Sequence, residues 1–292
     1  MNSASKQPVS SLCVAAVQMV STPRVEENLQ TAAARIAEAV AQGAELVALP
    51  EYFAIMGMSD SDKVRVREHD GSGPIQDFLA ASARQHGIWL IGGSLPLSAD
   101  SPDKVLNTSV AYNPQGQRVA RYDKIHLFGF RQGAEAYDES ATIQAGRQPV
   151  SFDMPFGRVG LSICYDLRFP ELYRALGVTE LLVVPAAFTE TTGRAHWEIL
   201  LRARAIENQC YVLAVAQGGR HENGRETHGN SLLIDPWGEI LDRKSKGPGV
   251  VVGTLEQDRL ASVRASLPAL KHRVMYSCNP LRDTPSAALT ET

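Results

Sequence analysis

Basic residues are in no excess: 29 Lys and Arg stand against 32 Asp and Glu in 292 residues, a formal net charge of -3. That balance gives no electrostatic footprint for nucleic acid or for an anionic membrane surface, so the expected partner is a small molecule. Cysteine is scarce. The four residues Cys13, Cys164, Cys210 and Cys278 form no C-x-x-C pair, so their spacing offers neither a zinc site nor a disulfide framework. A reducing, cytoplasmic compartment fits that usage. No apolar run approaches the length of a membrane span. The run Leu12–Val20 behind Lys6 has the outline of a weak signal core, but Gln18 interrupts it and no small-residue cleavage site follows. It reads as a buried strand. Neither G-x-x-x-x-G-K-[ST] nor H-E-x-x-H occurs.

What is present is an alternation of strand and helix patterns. After Leu12–Val20, apolar Val25, Leu29, Ala32, Ile36 and Val40 predict an amphipathic helix over Arg24–Gln42, ended by Gly43. Ala44–Pro50 is the next strand, Pro74–His86 a second helix, and Ile88–Pro96 a third strand. Val105–Tyr112 and Arg118–Lys124 flank the turn Asn113-Pro-Gln-Gly116. Phe128–Gln148 shows no periodicity and reads as the longest loop. Strand Arg158–Cys164, a short helix near Pro170–Leu176, strand Glu180–Ala186, a helix near Ala195–Gln209 and strands Tyr211–Ala216 and Asn230–Ile234 follow. Pro236-Trp-Gly238 then turns into a last hairpin ending at Gly253. The expectation is one mixed α/β domain over residues 10–280, with flexible termini at 1–9 and 281–292. Strands apolar along their whole length suit sheets covered on both faces.

Three strands end on a residue capable of chemistry: Glu51 in Leu49-Pro-Glu-Tyr, Lys124 in Tyr122-Asp-Lys-Ile-His, and Cys164 in Ser162-Ile-Cys-Tyr-Asp. If the three ends converge, a carboxylate, an ammonium and a thiol share a pocket. The carboxylate can take the thiol proton, the ammonium favours the thiolate and faces the oxyanion, and the Tyr165 N–H supplies a second donor. Each residue alone also has a plain reading: Glu51 as a surface or capping residue, Lys124 as a solvated strand end, Cys164 as inert core like Cys13, Cys210 and Cys278. His126 admits a papain-like Cys–His reading.

The wording around these residues resembles a known family. Leu49-Pro-Glu-Tyr-Phe, Tyr122-Asp-Lys-Ile-His-Leu-Phe128 and Ile163-Cys-Tyr-Asp-Leu-Arg-Phe-Pro-Glu-Leu172 are similar, in order, to the Glu, Lys and Cys signatures of the nitrilase superfamily of carbon–nitrogen hydrolases. The likeness runs from about Leu12 to His272. It implies Glu51 as general base, Lys124 as oxyanion stabiliser and Cys164 as nucleophile. A second glutamate, Glu139 in Tyr137-Asp-Glu-Ser140, would anchor Lys124, with Glu135 as a competing candidate. It further implies a four-layer α-β-β-α sandwich that pairs into an eight-layer homodimer, and no metal or organic cofactor.

Tyr165-Asp166 replaces the Trp-Glu of true nitrilases, and the carbamoylase Asn-Asp-Arg-Arg-Trp is missing. Pro185–Gly193, His196–Tyr211, Gly218-Gly-Arg-His221 and Asp235-Pro-Trp-Gly238 look like the branch that hydrolyses the 2-oxoglutaramate amide of deaminated glutathione, giving 2-oxoglutarate and Cys-Gly. The ω-amidases, which act on free 2-oxoglutaramate, are the close alternative. N-carbamoyl amidases, acyl transfer to an amine, and a binding module on a dead hydrolase are further readings. An acidic substrate calls for cations, so Arg168 and Arg194 are candidates for gripping a carboxylate, with Tyr165 and His196 as further pocket residues. The plain alternatives are ion pairs with Glu171 or Glu190, and helix packing for His196 and Trp197.

Overall fold

Strands buried on both sides need two covering layers, and the chain supplies them. The computed structural model describes residues 9–133 and 135–274, so Cys278 and the segments 1–8 and 275–292 lie outside the described residues. One sheet is built from β1 (Ser11–Gln18), β2 (Leu46–Ala48), β3 (Trp89–Ile91), β4 (Leu95–Ser98), β5 (Val105–Tyr112), β6 (Arg118–Asp123) and, next to β1, β15 (Gly249–Glu256). The other runs β14-β13-β12-β11-β10-β9 through β9 (Ser151–Met154), β10 (Gly157–Leu161), β11 (Leu181–Ala186), β12 (Tyr211–Ala216), β13 (Ser231–Ile234) and β14 (Ile240–Lys244). A separate hairpin joins β7 (Gly129–Gln132) to β8 (Glu135–Asp138).

The period-two alternation of a strand assigns the layers. On β1, Ala15 and Val17 pack outward against α1 (Val25–Ala41) and α3 (Pro74–His86), through Ile36, Ala39, Leu79 and Ala83. Val14 and Ala16 point the other way into a core shared with Leu161, Val183 and Leu213 of the second sheet. That sheet is covered in turn by Trp197, Leu201 and Ala205 of α5 (Glu190–Asn208). Fully burying one such Leu contributes about 1.5–3 kcal/mol. The result is the expected α-β-β-α sandwich.

Several boundaries differ from the sequence expectation for local reasons. The predicted strand Ile88–Pro96 breaks at Gly92-Gly93 into β3 and β4. Gly93 has φ +51°, and a Cβ there would lie 2.1 Å from the Pro50 carbonyl oxygen, so a glycine lets the turn carrying Glu51 pack close. Helix α5 begins at Glu190 rather than Ala195, because Thr189 caps it by accepting from Thr192 N at 3.3 Å. The supposed loop Phe128–Gln148 contains the β7–β8 hairpin, held by contacts among Phe128, Phe130 and Tyr137, and a turn of 3₁₀ helix at Glu139–Ala141. The last strands are not a hairpin with each other. β14 pairs with β13, while the chain crosses to the first sheet and β15 pairs with β1 from Ser11↔Glu256 to Gln18↔Gly249. Two short helices were not anticipated, α2 (Asp62–Arg65) and α6 (Gln257–Ser266). In α6 only Leu260 and Val263 are buried, too little for a visible apolar stripe. The fourth helix in chain order, α4 (Pro170–Ala175), falls where expected.

Strand direction places the site. β1, β2 and β3 are parallel, β6 runs the same way because two antiparallel pairings separate it from β3, and β10, β11 and β12 are parallel. A parallel bridge between Met19 and Gln217 aligns the two sheets. The carboxyl ends of β2, β6 and β10 therefore open at one edge, where α/β sheets present their ligand crevices.

Candidate active site

At that edge Glu51, Lys124, Glu139 and Cys164 meet. Lys124 is fully buried, directly after β6, and its Nζ lies 2.9 Å from Glu51 Oε1 and 2.7 Å from Glu139 Oε2. Glu51 itself is 1% exposed. Its Oε1 also accepts from Asn107 Nδ2 at 2.9 Å, and its Oε2 from Ala187 N at 2.8 Å. Because Ala187 follows β11 and Asn107 lies on β5, both sheets fix this one carboxylate. Glu139 accepts from Tyr52 OH at 2.8 Å and from Phe128 N at 2.8 Å. The side chain of Glu135, the competing candidate, is outside what the structure describes.

Cys164 opens a 3₁₀ turn, Cys164–Arg168, three residues past β10. Its φ is +51°, and Tyr52 beside Glu51 has φ +55°. Left-handed backbone at residues other than glycine costs on the order of 1–3 kcal/mol each and gathers at functional sites. Asp166 holds the turn. Buried, it accepts from Ile163 N at 2.9 Å, Tyr122 OH at 2.7 Å, and His126 N at 3.0 Å. It thus ties the cysteine turn to the segment just after Lys124. His126 Nδ1 is 2.7 Å from Asp166 Oδ1 and its ring stacks on Phe169 at 3.7 Å, so the histidine serves this tie rather than a Cys–His pair. On the other flank Gln217 Nε2 donates to Glu51 O at 3.0 Å and to Ser21 Oγ at 2.7 Å.

The charges define the resting state. Burial pushes the Cys164 thiol well above its usual pKa, and the nearby Glu51 charge adds to the rise; Lys124 opposes but does not win. Lys124 favours the thiolate, as the sequence expectation has it, but burial first and the Glu51 charge second outweigh it. Burial alone would lower Lys124, but Glu139 and Glu51 outweigh it and its pKa is raised. For Glu139, burial is overcome by Lys124 and the carboxyl sits below its usual range. The surroundings thus favour the neutral Cys164 thiol, the Lys124 ammonium and the Glu139 carboxylate.

Of the remaining candidates, Tyr165 lines the cavity over Cys164 together with Phe128, Phe188, Thr189, Thr192 and Arg225. Arg168 sits against the Tyr165 and Phe188 rings at 5.7 and 5.4 Å and bonds His196 Nδ1 at 3.1 Å. The structure does not bring Arg194 to the cavity: its side chain is 78% exposed and pairs with Glu190 at 3.1 Å. His196 is exposed and reaches the site only through Arg168. Trp197 is core, donating to Asn230 O at 2.8 Å. Cys210 is buried and Cys13 half-buried. Sequence reasoning passed over Asn107, Gln217, Lys63 and Arg225: none stands in a signature segment, and Asn107, a polar residue within the predicted strand Val105–Tyr112, was the one available signal among them. Tyr52 and Asp166 stood inside the quoted segments, where a buried polar residue beside each candidate was the available signal.

Space beside Cys164 open to a water-sized sphere is only about 10 Å³, room for roughly one water. A neighbouring groove, reached past Arg225, offers about 420 Å³. Substrate must displace side chains at this mouth.

This fold and site define a class. Residues 13–265 match the family model described as carbon-nitrogen hydrolase. The solved NitFhit protein of C. elegans superposes with a TM-score of 0.83 at 36% identity, covering 91% of this chain and 66% of that one. The chain belongs to the carbon–nitrogen hydrolase family of the nitrilase superfamily. Among its curated relatives, a deaminated glutathione amidase of Synechocystis is 46% identical over 266 residues, 89% of this chain and 97% of that one. The human deaminated glutathione amidase is 40% identical over 269 residues, 89% of this chain and 81% of that one.

Proposed function

We propose that the protein is a cysteine amidase that cleaves deaminated glutathione into 2-oxoglutarate and Cys-Gly. The observation that carries the mechanism is the single buried Glu51 carboxylate, bonded to Lys124 Nζ at 2.9 Å and close enough to Cys164 to disfavour its thiolate. As Cys164 Sγ attacks the amide carbon, its proton passes to Glu51, and the carbonyl oxygen takes up the negative charge beside Lys124 and the Tyr165 N–H. Removing one such donor typically costs 10²–10³ in rate, about 2.7–4 kcal/mol. Collapse breaks the carbon–nitrogen bond, and Glu51 returns the proton to the departing amine. Water then attacks the thioester with Glu51 again taking a proton, and the thiol is regenerated with a carboxylate product. Glu139 holds Lys124 in place. Arg168 grips a carboxylate on the acyl side, near Tyr165.

Support for the substrate comes from the two named amidases and from the groove next to the cavity, which a substrate releasing only ammonia does not need. The test compares deaminated glutathione, read by Cys-Gly release, with free 2-oxoglutaramate, read by ammonia. Faster turnover of the second would replace this reading with an ω-amidase; turnover that requires an added amine would replace it with acyl transfer.

We also infer that two copies pair through the outer face of α5. Ile199 is 70% and Ile206 47% exposed there, Ile206 lies against Gly238, and Trp237, next to Gly238 in the chain, is 51% exposed; exposed apolar residues gathered on one face mark an interface. Ile199→Glu is expected to give a monomer in sedimentation; a wild-type protein that already sediments as a monomer refutes the pairing. Scarce cysteine supports a cytoplasmic location.

A further inference from the structure

Lys63 and Arg225 have no role in the mechanism above, yet both are cations drawn into one groove. Arg225 stands at the junction, lining the catalytic cavity and the groove alike. Its Nη2 donates to Ala187 O at 2.7 Å, while its Nε is buried without a hydrogen-bond partner among the described residues. The guanidinium lies 5.2 Å from the Tyr137 ring. Lys63, on α2, has a side chain only 13% exposed, but its contacts are long: 3.4 Å to Asp60, which is 80% exposed, and 3.4 Å to Thr142 Oγ1. Its Nζ also lies 5.6 Å from the Tyr52 ring. Buried cations are ordinarily paired; here Lys63 has one long ion pair to a solvated carboxylate and Arg225 none among the described residues, with Glu139 and Glu51 acting on them only at longer range, so the pair suits an anionic ligand.

We propose that this groove is the subsite of the leaving amine, and that Lys63 and Arg225 bind a carboxylate carried by that amine. The inference rests on the amidase reading and specifies which substrates it takes. The groove lies on the correct side for the task. It starts at Tyr52, adjacent in the chain to Glu51, the group that must protonate the departing nitrogen, whereas the acyl group stays on Cys164 in the tight cavity under Tyr165. It is also open to solvent, so the first product can leave while the thioester persists. Its volume of about 420 Å³ falls within the usual range for small-molecule sites, roughly 300–1,000 Å³. Burial draws the Lys63 ammonium below its usual pKa, with Asp60 and Glu139 opposing, as expected of a cation short of a partner.

The test uses deaminated glutathione and the same molecule with its terminal glycine carboxyl converted to a carboxamide. Wild-type protein is expected to favour the acid in kcat/KM by about 10- to 100-fold, the worth of hydrogen bonds to a charged group. Lys63→Met is expected to collapse that ratio, mainly through KM, and Lys63→Arg to retain most of it. An unchanged ratio in Lys63→Met, or equal losses on both substrates, overturns the proposal. If neither substrate is hydrolysed, the amidase reading fails by itself. The groove is then decided by saturation-transfer NMR with the dipeptide Cys-Gly, whose binding should weaken at least tenfold in Lys63→Met; dipeptide binding that ignores the substitution refutes the subsite.

Discussion

In a Lys124→Met protein, amide turnover is expected to fall by at least about 10²–10³, with a Tm lower by roughly 5–15 °C at pH 8. The two losses share one cause. Lys124 Nζ is the cation between Glu51 at 2.9 Å and Glu139 at 2.7 Å, and all three side chains are buried or nearly so. Breaking a buried pair by removing one partner costs about 3–5 kcal/mol, because it leaves an uncompensated charge. Here two carboxylates would face each other across the space the ammonium left. One of them must then bind a proton in the folded state, so its folded pKa rises above the unfolded one. Stability of the variant should therefore increase as pH is lowered from 8 toward 5 and be lost on the way up. Wild-type protein should behave oppositely in acid. Its Glu139 pKa is depressed, so that contribution is complete above the unfolded value of about 4.3 and disappears as pH falls below it. Thermal melts of both proteins across pH 4–8 check the sign; parallel profiles would mean that the ammonium does not hold the carboxylates apart.

Much of this was readable before any coordinates. Strand and helix order followed from apolar periodicity, since Val14 and Ala16 alternate with Ala15 and Val17 and each set finds its own core. The four residues Glu51, Lys124, Glu139 and Cys164 stood in segments that resemble family signatures. What periodicity could not reveal were features decided by single contacts. The break at Gly93 depends on the proximity of Pro50 O, and the early start of α5 on one threonine hydroxyl. The hairpin inside Phe128–Gln148 has strands of only four residues, too short to alternate visibly. Cation placement was least legible. Arg194 and Arg225 look alike in sequence, yet the first lies on the outer side of a helix and the second is wedged between two cavities, a difference set by loops whose course no local pattern encodes. The ionisation of Cys164 was likewise hidden: an ammonium beside a thiol favours the thiolate, but burial, which no local pattern reports, and the Glu51 charge outweigh Lys124 here.

That balance makes Glu51→Gln the most informative substitution at the site. Turnover is expected to drop by about 10²–10⁴, the usual share of general acid–base catalysis, since no group remains to move the proton from sulfur to the leaving nitrogen. Thiol chemistry should move the other way. Burial is the first cause of the raised Cys164 pKa and the Glu51 charge the second, with Lys124 opposing both. Removing the Glu51 charge deletes a destabiliser of the thiolate and leaves Lys124 balanced by Glu139 alone. The thiol pKa must fall, and the thiolate population at neutral pH must grow. The glutamine amide still fills the space, but its one carbonyl oxygen can replace only one of the two acceptors that Glu51 offers, Oε1 to Asn107 Nδ2 and Oε2 to Ala187 N, so a thermal melt of the variant accompanies the assays to show that it is folded. Titrating thiolate absorbance near 240 nm, together with the iodoacetamide labelling rate of Cys164 between pH 6 and 9, reads this directly. A labelling profile displaced to lower pH in the variant, alongside lost turnover, separates the acid–base role of Glu51 from any role in activating the sulfur. A profile displaced to higher pH would mean that Glu51 stabilises the thiolate, and the proton inventory of the mechanism would have to be rewritten around a different base.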